Sequence, residues 1–167
     1  TVHVISAGTG QGAEFIFAVP LSSSPGPHEQ TVVTSKMAAP LKVVLIDDNK
    51  DMIETLATLL SMDGHNVKYA YDGESGLTLI KNEKPDLIFC DIGLPGSLDG
   101  YAVARNVRMD ETIANTFIVA ISGYGQERDK QLAFESGFND HLLKPIDFDV
   151  LSKVIANNPV ANKAMRK

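Results

Sequence analysis

The sequence predicts an α/β protein of three layers, αβα, with a five-stranded parallel sheet between two layers of helices. Three observations predict it. At 167 residues, with 44% hydrophobic and 22% charged, the chain has the size and make-up of one soluble globular domain plus an appendage. From Leu41 onward, short apolar runs alternate with stretches whose apolar residues fall three and four apart. Several of those runs are apolar throughout, the pattern of strands covered on both faces rather than on one.

The elements follow in order. Val43-Val44-Leu45-Ile46 is a β-branched strand ending at Asp47-Asp48-Asn49. Met52, Ile53, Leu56, Leu59 and Leu60 lie at helical spacing, and Gly64 stops the helix. Val67, Tyr69 and Tyr71 alternate as a second strand, closed by Asp72-Gly73. Leu77 and Ile80 mark a short helix that ends before Pro85. Leu87-Ile88-Phe89-Cys90 is a third strand ending at Asp91, and Tyr101–Arg108 a helix. Phe117–Ile121 is a fourth strand ending at Ser122-Gly123, followed by a helix over Gln126–Glu135 with Gly137 as its stop. His141-Leu142-Leu143 is a short fifth strand ending at Lys144-Pro145. Phe148, Leu151, Val154 and Ile155 form the last helix, with Pro159 beyond it.

The first forty residues are organised differently. Val2 and Val4, then Phe15, Phe17 and Val19, read as two strands of a hairpin around the Gly8–Gly12 turn over residues 1–21. A lone hairpin is marginal in water, so this one is expected to belong to a larger sheet or to be disordered without it. Ser22-Ser23-Ser24-Pro25-Gly26-Pro27 opens a flexible tether over 22–40, and residues 159–167 form a frayed tail. The chain starts at Thr1 with its first Met at Met37, which suggests a piece excised from a longer protein.

Charge and cysteine content narrow the function. A net charge of -6 argues against a protein that coats nucleic-acid backbones. The single cysteine, Cys90, allows no intramolecular disulfide and fits a reducing compartment. No apolar run approaches a membrane span, and the N-terminus has no signal-peptide pattern.

In an open parallel sheet, ligands bind at the carboxyl ends of the strands. The residues there are Asp47 and Asp48, Asp91, Ser122 and Lys144. Each has a plain reading by itself: Asp47-Asp48-Asn49 as a helix cap, the Asp91, Ser122-Gly123 and Lys144-Pro145 segments as turns. Their conjunction at strand ends decides. Carboxylates that repel one another are reconciled by a hard divalent cation, and Mg²⁺ takes one or two carboxylates plus phosphate oxygens. A carboxylate can also attack phosphorus to form an aspartyl-phosphate, with a lysine and a cation neutralising the transferring oxygens. Lys144-Pro145 is a candidate cis bond that would aim the lysine.

On these motifs Leu41–Asn157, about seven-tenths of the chain, resembles the receiver domain of two-component response regulators. The matching elements are Asp47-Asp48, Asp91-Ile92-Gly93-Leu94-Pro95, Ile121-Ser122-Gly123 and Lys144-Pro145, in order and spacing. The resemblance implies a flavodoxin-like sheet of order 2-1-3-4-5 and a domain over 41–158. It implies Asp91 as phosphoacceptor and Mg²⁺, with Mn²⁺ as an alternative, held by Asp47, Asp48, Asp91 and the Gly93 carbonyl. Ser122 would bind the phosphoryl group and shift on activation, Lys144 would pair with it, and His141 stands where the family usually has an aromatic switch residue. The donor would be a phosphohistidine on a histidine kinase or a phosphotransfer protein. No nucleic acid and no membrane contact are implied, and the location is cytoplasmic, with any membrane anchor upstream in the parent chain.

Residues Ser6–Phe15 and Val19–Leu21 resemble the closing hairpin of a histidine-kinase ATP-binding domain, and that resemblance, followed by tether and receiver, implies a hybrid sensor histidine kinase as the parent. The fragment itself would not be a kinase, although it would catalyse its own phosphorylation and dephosphorylation. His3, His28 and His65 lack the context of a phosphoacceptor histidine. Two departures from the family stand out: Ser97-Leu98 lengthens the segment between Asp91 and Asp99-Gly100, and Gly93 and Tyr124 replace side chains that assist attack by water, which implies a long-lived phosphoryl-aspartate. Two rival readings remain. One is an Mg²⁺-dependent phosphatase with an aspartyl nucleophile, against which Gly93 counts because such enzymes carry a second aspartate there. The other is a receiver-like interaction domain that is never phosphorylated.

Overall fold

The computed structural model describes residues 2–6, 8–18, 40–123 and 127–158. Val19, Tyr124, Gln126, the tail expected over 159–167 and all of the expected tether but Pro40 lie outside them. The described residues fall into two units, divided between residues 34 and 35.

The first unit is the hairpin. Strand β1 (Val2–Ile5) pairs antiparallel with β2 (Glu14–Phe17). Val2 stands opposite Phe17 and Val4 opposite Phe15, so these four side chains share one face. All four are more than half exposed.

The second unit alternates strand and helix as the patterning predicts: β3 (Lys42–Ile46), α1 (Lys50–Met62), β4 (Asn66–Ala70), α2 (Gly73–Glu83), β5 (Leu87–Asp91), α3 (Gly100–Met109), β6 (Phe117–Ser122), α4 (Glu127–Glu135), β7 (Asp140–Leu143) and α5 (Phe148–Asn157). The five strands are all parallel, in the order β4-β3-β5-β6-β7, which is the expected 2-1-3-4-5. Tyr71, expected within the second strand, lies beyond it. The ladder ends where Ile46 meets Ala70.

Period-two alternation divides the core between the two faces. Val43, Leu45, Leu87, Phe89, Val119 and Ile121 pack with α1 and α5 through Ile53, Leu60, Leu151 and Ile155. Val44, Ile46, Ile88, Cys90, Ile118 and Ala120 pack with α2, α3 and α4 through Ile80, Val103, Val107 and Ala133. Cys90 is fully enclosed there, and burial pushes its thiol far above the ordinary range, so it behaves as a small hydrophobe.

Caps fix where the helices begin. The Asn49, Asp72 and Asp99 side chains accept from the backbone N–H groups of Met52, Ser75 and Ala102 at 3.1, 2.8 and 2.7 Å. Asp147 does the same for Asp149 at 2.9 Å. Lys84 ends α2 in the left-handed region (φ 48°), where a non-glycine residue is uncommon, because Pro85 forbids a further helical turn.

His65 closes the first strand's entrance. Its buried ring accepts the Leu41 N–H on Nδ1 at 3.2 Å. Burial lowers its pKa, and Asp63, 3.8 Å from Nε2, only partly opposes this. The folded chain therefore binds this proton less readily than the unfolded chain. The contribution to stability is complete above the unfolded value near 6.5 and is lost as pH falls through and below it. We expect the urea midpoint to fall between about pH 7 and about pH 5. We expect a shallower fall in His65→Asn, whose carbonyl can still accept from Leu41. Equal slopes in parent and variant would remove His65 from the account.

Candidate functional site

Parallel strands bring their carboxyl ends to one edge of the sheet, and the sequence places its polar residues there. Asp47 follows β3 and is buried, with its N–H donating to the Ala70 carbonyl at 3.2 Å. Its Oδ1 accepts from the Asn49 N–H at 2.9 Å, so the turn that starts α1 also orients the carboxylate. Asp48 is exposed at the rim. Asp91 is the last residue of β5 and is buried, and the next residue is held by the Ile92 N–H donating to Ile121 at 2.9 Å. Asp91 Oδ1 accepts from the Gly93 N–H at 3.3 Å.

Lys144 reaches this pair from β7. Its backbone N–H donates to the Ser122 carbonyl at 2.8 Å, and the Lys144-Pro145 bond is cis, as the sequence suggested. The ammonium donates to Asp91 Oδ2 at 3.0 Å and lies 2.8 Å from Asp47 Oδ2. Asp47 Oδ2 is a buried oxygen held in an ion pair with that ammonium. Burial raises the Asp47 pKa despite the nearby ammonium. Burial also pulls the Lys144 ammonium down, but the two carboxylates overcome it and leave its pKa above the ordinary lysine value.

Asp47, Asp48 and Asp91 can each offer one oxygen within 4.8 Å of the others. Hard oxygen donors gathered from three carboxylates, two of them buried, fit a divalent cation such as Mg²⁺. A Cβ at Gly93 would stand in ordinary contact with the Asp91 carboxylate at 3.8 Å, so residue 93 lies directly beside the nucleophile.

Ser122 ends β6 and is buried, with its Oγ 2.9 Å from His141 Nε2. Ser122 and His141, both expected from the sequence, are thus in direct contact with each other. Tyr124 lies outside the described residues.

The structure adds two glycines that sequence reasoning missed. At Gly100 an added Cβ would lie 2.2 Å from the Asp91 carbonyl oxygen, so the start of α3 rests on the backbone of Asp91. At Gly73 it would lie 2.0 Å from the Leu98 carbonyl, and the Ser97 hydroxyl donates to Glu74 at 2.5 Å. The lengthened segment after Asp91 is thereby docked on the first turn of α2. Asp99-Gly100 before a helix was the available signal, but it reads equally as a cap and a turn.

Residues 43–156 match the response regulator receiver domain family. The chain is 35% identical over 116 residues to the DNA-binding dual master transcriptional regulator RpaA of Synechocystis, covering 69% of this chain and 48% of that protein. It therefore spans about half the length of that relative. It is 32% identical over 114 residues to Protein PilH of Pseudomonas aeruginosa, covering 68% of this chain and 93% of that one. Among solved structures it resembles the chemotaxis protein CheY4 of Vibrio cholerae, with a TM-score of 0.68 and 25% identity over 72% of this chain and 99% of that chain. Similarity in sequence and in fold converges on the segment whose strand ends carry the acidic cluster, and the chain belongs to the response regulator receiver family.

Proposed function

We propose that Asp91 is the phosphoacceptor of this receiver, taking its phosphoryl group from a phosphohistidine. The observation that carries this is the Lys144 ammonium set between the Asp91 and Asp47 carboxylates at 3.0 and 2.8 Å. An Asp91 oxygen attacks phosphorus, the P–N bond to the donor imidazole breaks, and the bonding pair leaves with that nitrogen. A carboxylate nucleophile needs no separate base. Asp47, Asp48, Asp91 and the Gly93 carbonyl would hold Mg²⁺, or Mn²⁺ in its place. When bound, the cation supplies positive charge at the transferring oxygens. Lys144 exchanges its carboxylate partner for a phosphoryl oxygen, and the Ser122 hydroxyl donates to another.

The donor fits a histidine kinase's phosphoacceptor domain or a histidine phosphotransfer protein. The hairpin and the expected tether support a place at the C-terminal end of a hybrid histidine kinase, in the cytoplasm. Among the described residues, no helix is long and apolar enough to cross a membrane.

Intact mass tests the reading. With Mg²⁺ and acetyl phosphate, we expect a gain of one phosphoryl group in the parent and none in Asp91→Ala. No gain in the parent, with Mg²⁺ binding confirmed separately, would instead favour a receiver-like interaction domain. Turnover of a chromogenic phosphate ester would favour the phosphatase, whose second aspartate would have to stand where Gly93 is.

A further inference from the structure

The first turn of α2 lies against two segments that carry the acidic cluster. On one side, a Cβ at Gly76 would lie 2.5 Å from Ile46 Cδ1, and Ile46 immediately precedes Asp47. On the other, a Cβ at Gly73 would lie 2.0 Å from the Leu98 carbonyl oxygen and 3.1 Å from Leu98 Cβ. Neither glycine has a positive φ, so close approach, and not backbone conformation, is what calls for glycine at both.

The loop between Asp91 and Gly100 is anchored in the same region. Leu94 is buried and Leu98 partly buried, both in the cluster that α2 and α3 share. Gly96 turns the chain between them at φ +97°. The Ser97 hydroxyl donates to Glu74 of α2 at 2.5 Å, and both residues are exposed. The turn that presents Glu74 is itself fixed, because the Asp72 carboxylate accepts from the Ser75 N–H and hydroxyl, each at 2.8 Å. A lengthened loop has more conformations to lose when one of its carbonyls ligates a cation. Docking the loop beforehand removes part of that cost.

We propose that the first turn of α2 is a positioning element for the cation site, holding the loop that presents the Gly93 carbonyl through the Ser97–Glu74 hydrogen bond and the seat of Leu98 on Gly73. The inference rests on the cation site proposed above. Ser97 and Glu74 are positioning residues in it, and neither touches the cation.

Calorimetric Mg²⁺ titration of a double-mutant cycle tests this. Ser97→Ala and Glu74→Ala are each expected to weaken Mg²⁺ binding about threefold. The double variant should lose no more than either alone, since both remove one contact. Glu74→Gln, which drops the charge but keeps an acceptor for the serine, should recover most of the loss. A second readout needs no metal: in the metal-free protein, exchange of the Gly93 amide is expected to be about threefold faster in both alanine variants.

Parental Mg²⁺ affinity in both alanine variants, whatever their melting temperatures, would make the contact part of the fold alone and overturn the proposal. Additive losses, or an unchanged Gly93 exchange rate, would do the same. Equal losses in Glu74→Gln and Glu74→Ala would assign the effect to the carboxylate's charge and also overturn it. Failure of the parent to bind Mg²⁺ would overturn the cation site, and this proposal with it.

Discussion

Replacing Lys144 by alanine is expected to slow labelling by acetyl phosphate about a hundredfold while tightening Mg²⁺ binding. The two effects have opposite signs because the ammonium has two uses. Without a cation it is the counter-charge for two buried carboxylates, 3.0 Å from Asp91 and 2.8 Å from Asp47. It therefore competes with Mg²⁺ for the same negative charge, and its removal leaves that charge to the metal. We expect an affinity gain of about tenfold, equivalent to ~1.4 kcal/mol. The metal-free variant should melt below the parent, since it leaves buried carboxylates unpaired, and Mg²⁺ should raise its melting temperature more than the parent's. In the phosphoryl-transfer step the ammonium meets charge that develops on the phosphoryl oxygens, and among the described residues no other cationic side chain is ion-paired with Asp47 or Asp91. Calorimetry with Mg²⁺ and labelling rates by mass measure the two halves separately. Weaker Mg²⁺ binding together with normal labelling would show that Lys144 serves only to fold the site.

That the sequence carries so much of this site follows from sheet geometry. Asp47, Asp91, Ser122 and Lys144 each stand at or just past the carboxyl end of a strand, and parallel strands bring such ends together whatever the intervening chain does. The apolar runs were legible for the same reason: a strand between two helical layers has no polar face to interrupt it. What could not be read is whatever depends on distance between side chains. His141 was visible as a strand residue in a family switch position. Its contact with Ser122 depends on the β6–β7 register, which the sequence does not print. Lys84 in the left-handed region follows from Pro85 by local sterics, yet no residue preference points to lysine there. The Arg108 guanidinium ties α3 to the chain around β6 through the Ala114, Thr116 and Gly137 carbonyls and Asn139 Oδ1. In the sequence it is simply a charged residue near a helix end. The hairpin is the reverse case, since its strands were plain and its four exposed apolar side chains give no account of what they pack against.

Gly100 shows how a residue without chemistry can govern one that has it. Alanine there would place its Cβ 2.2 Å from the Asp91 carbonyl oxygen and 2.7 Å from the Ile92 Cα. Both obstacles are backbone, so no rotamer change relieves the clash, and either α3 or the end of β5 must move. The Gly100 N–H also donates to the Ile92 carbonyl at 3.1 Å, and that bond would be strained with them. We expect Gly100→Ala to cost about 3 kcal/mol of stability and roughly 10 °C in melting temperature. It should also slow labelling of the fraction that remains folded, because the displaced backbone carries Asp91. Gly137→Ala is the control. Its φ of +106° and the Arg108 Cγ at 2.7 Å make it similarly unfavourable. It lies before β7, at the opposite end of the sheet from the carboxylates, so its folded fraction should label at the parental rate. If both variants lose stability and neither loses labelling rate, the close approach at Gly100 supports the fold and has no hold on the nucleophile. If Gly100→Ala alone slows labelling, then the position of Asp91 is set from α3, through a contact that exists only because residue 100 has no side chain.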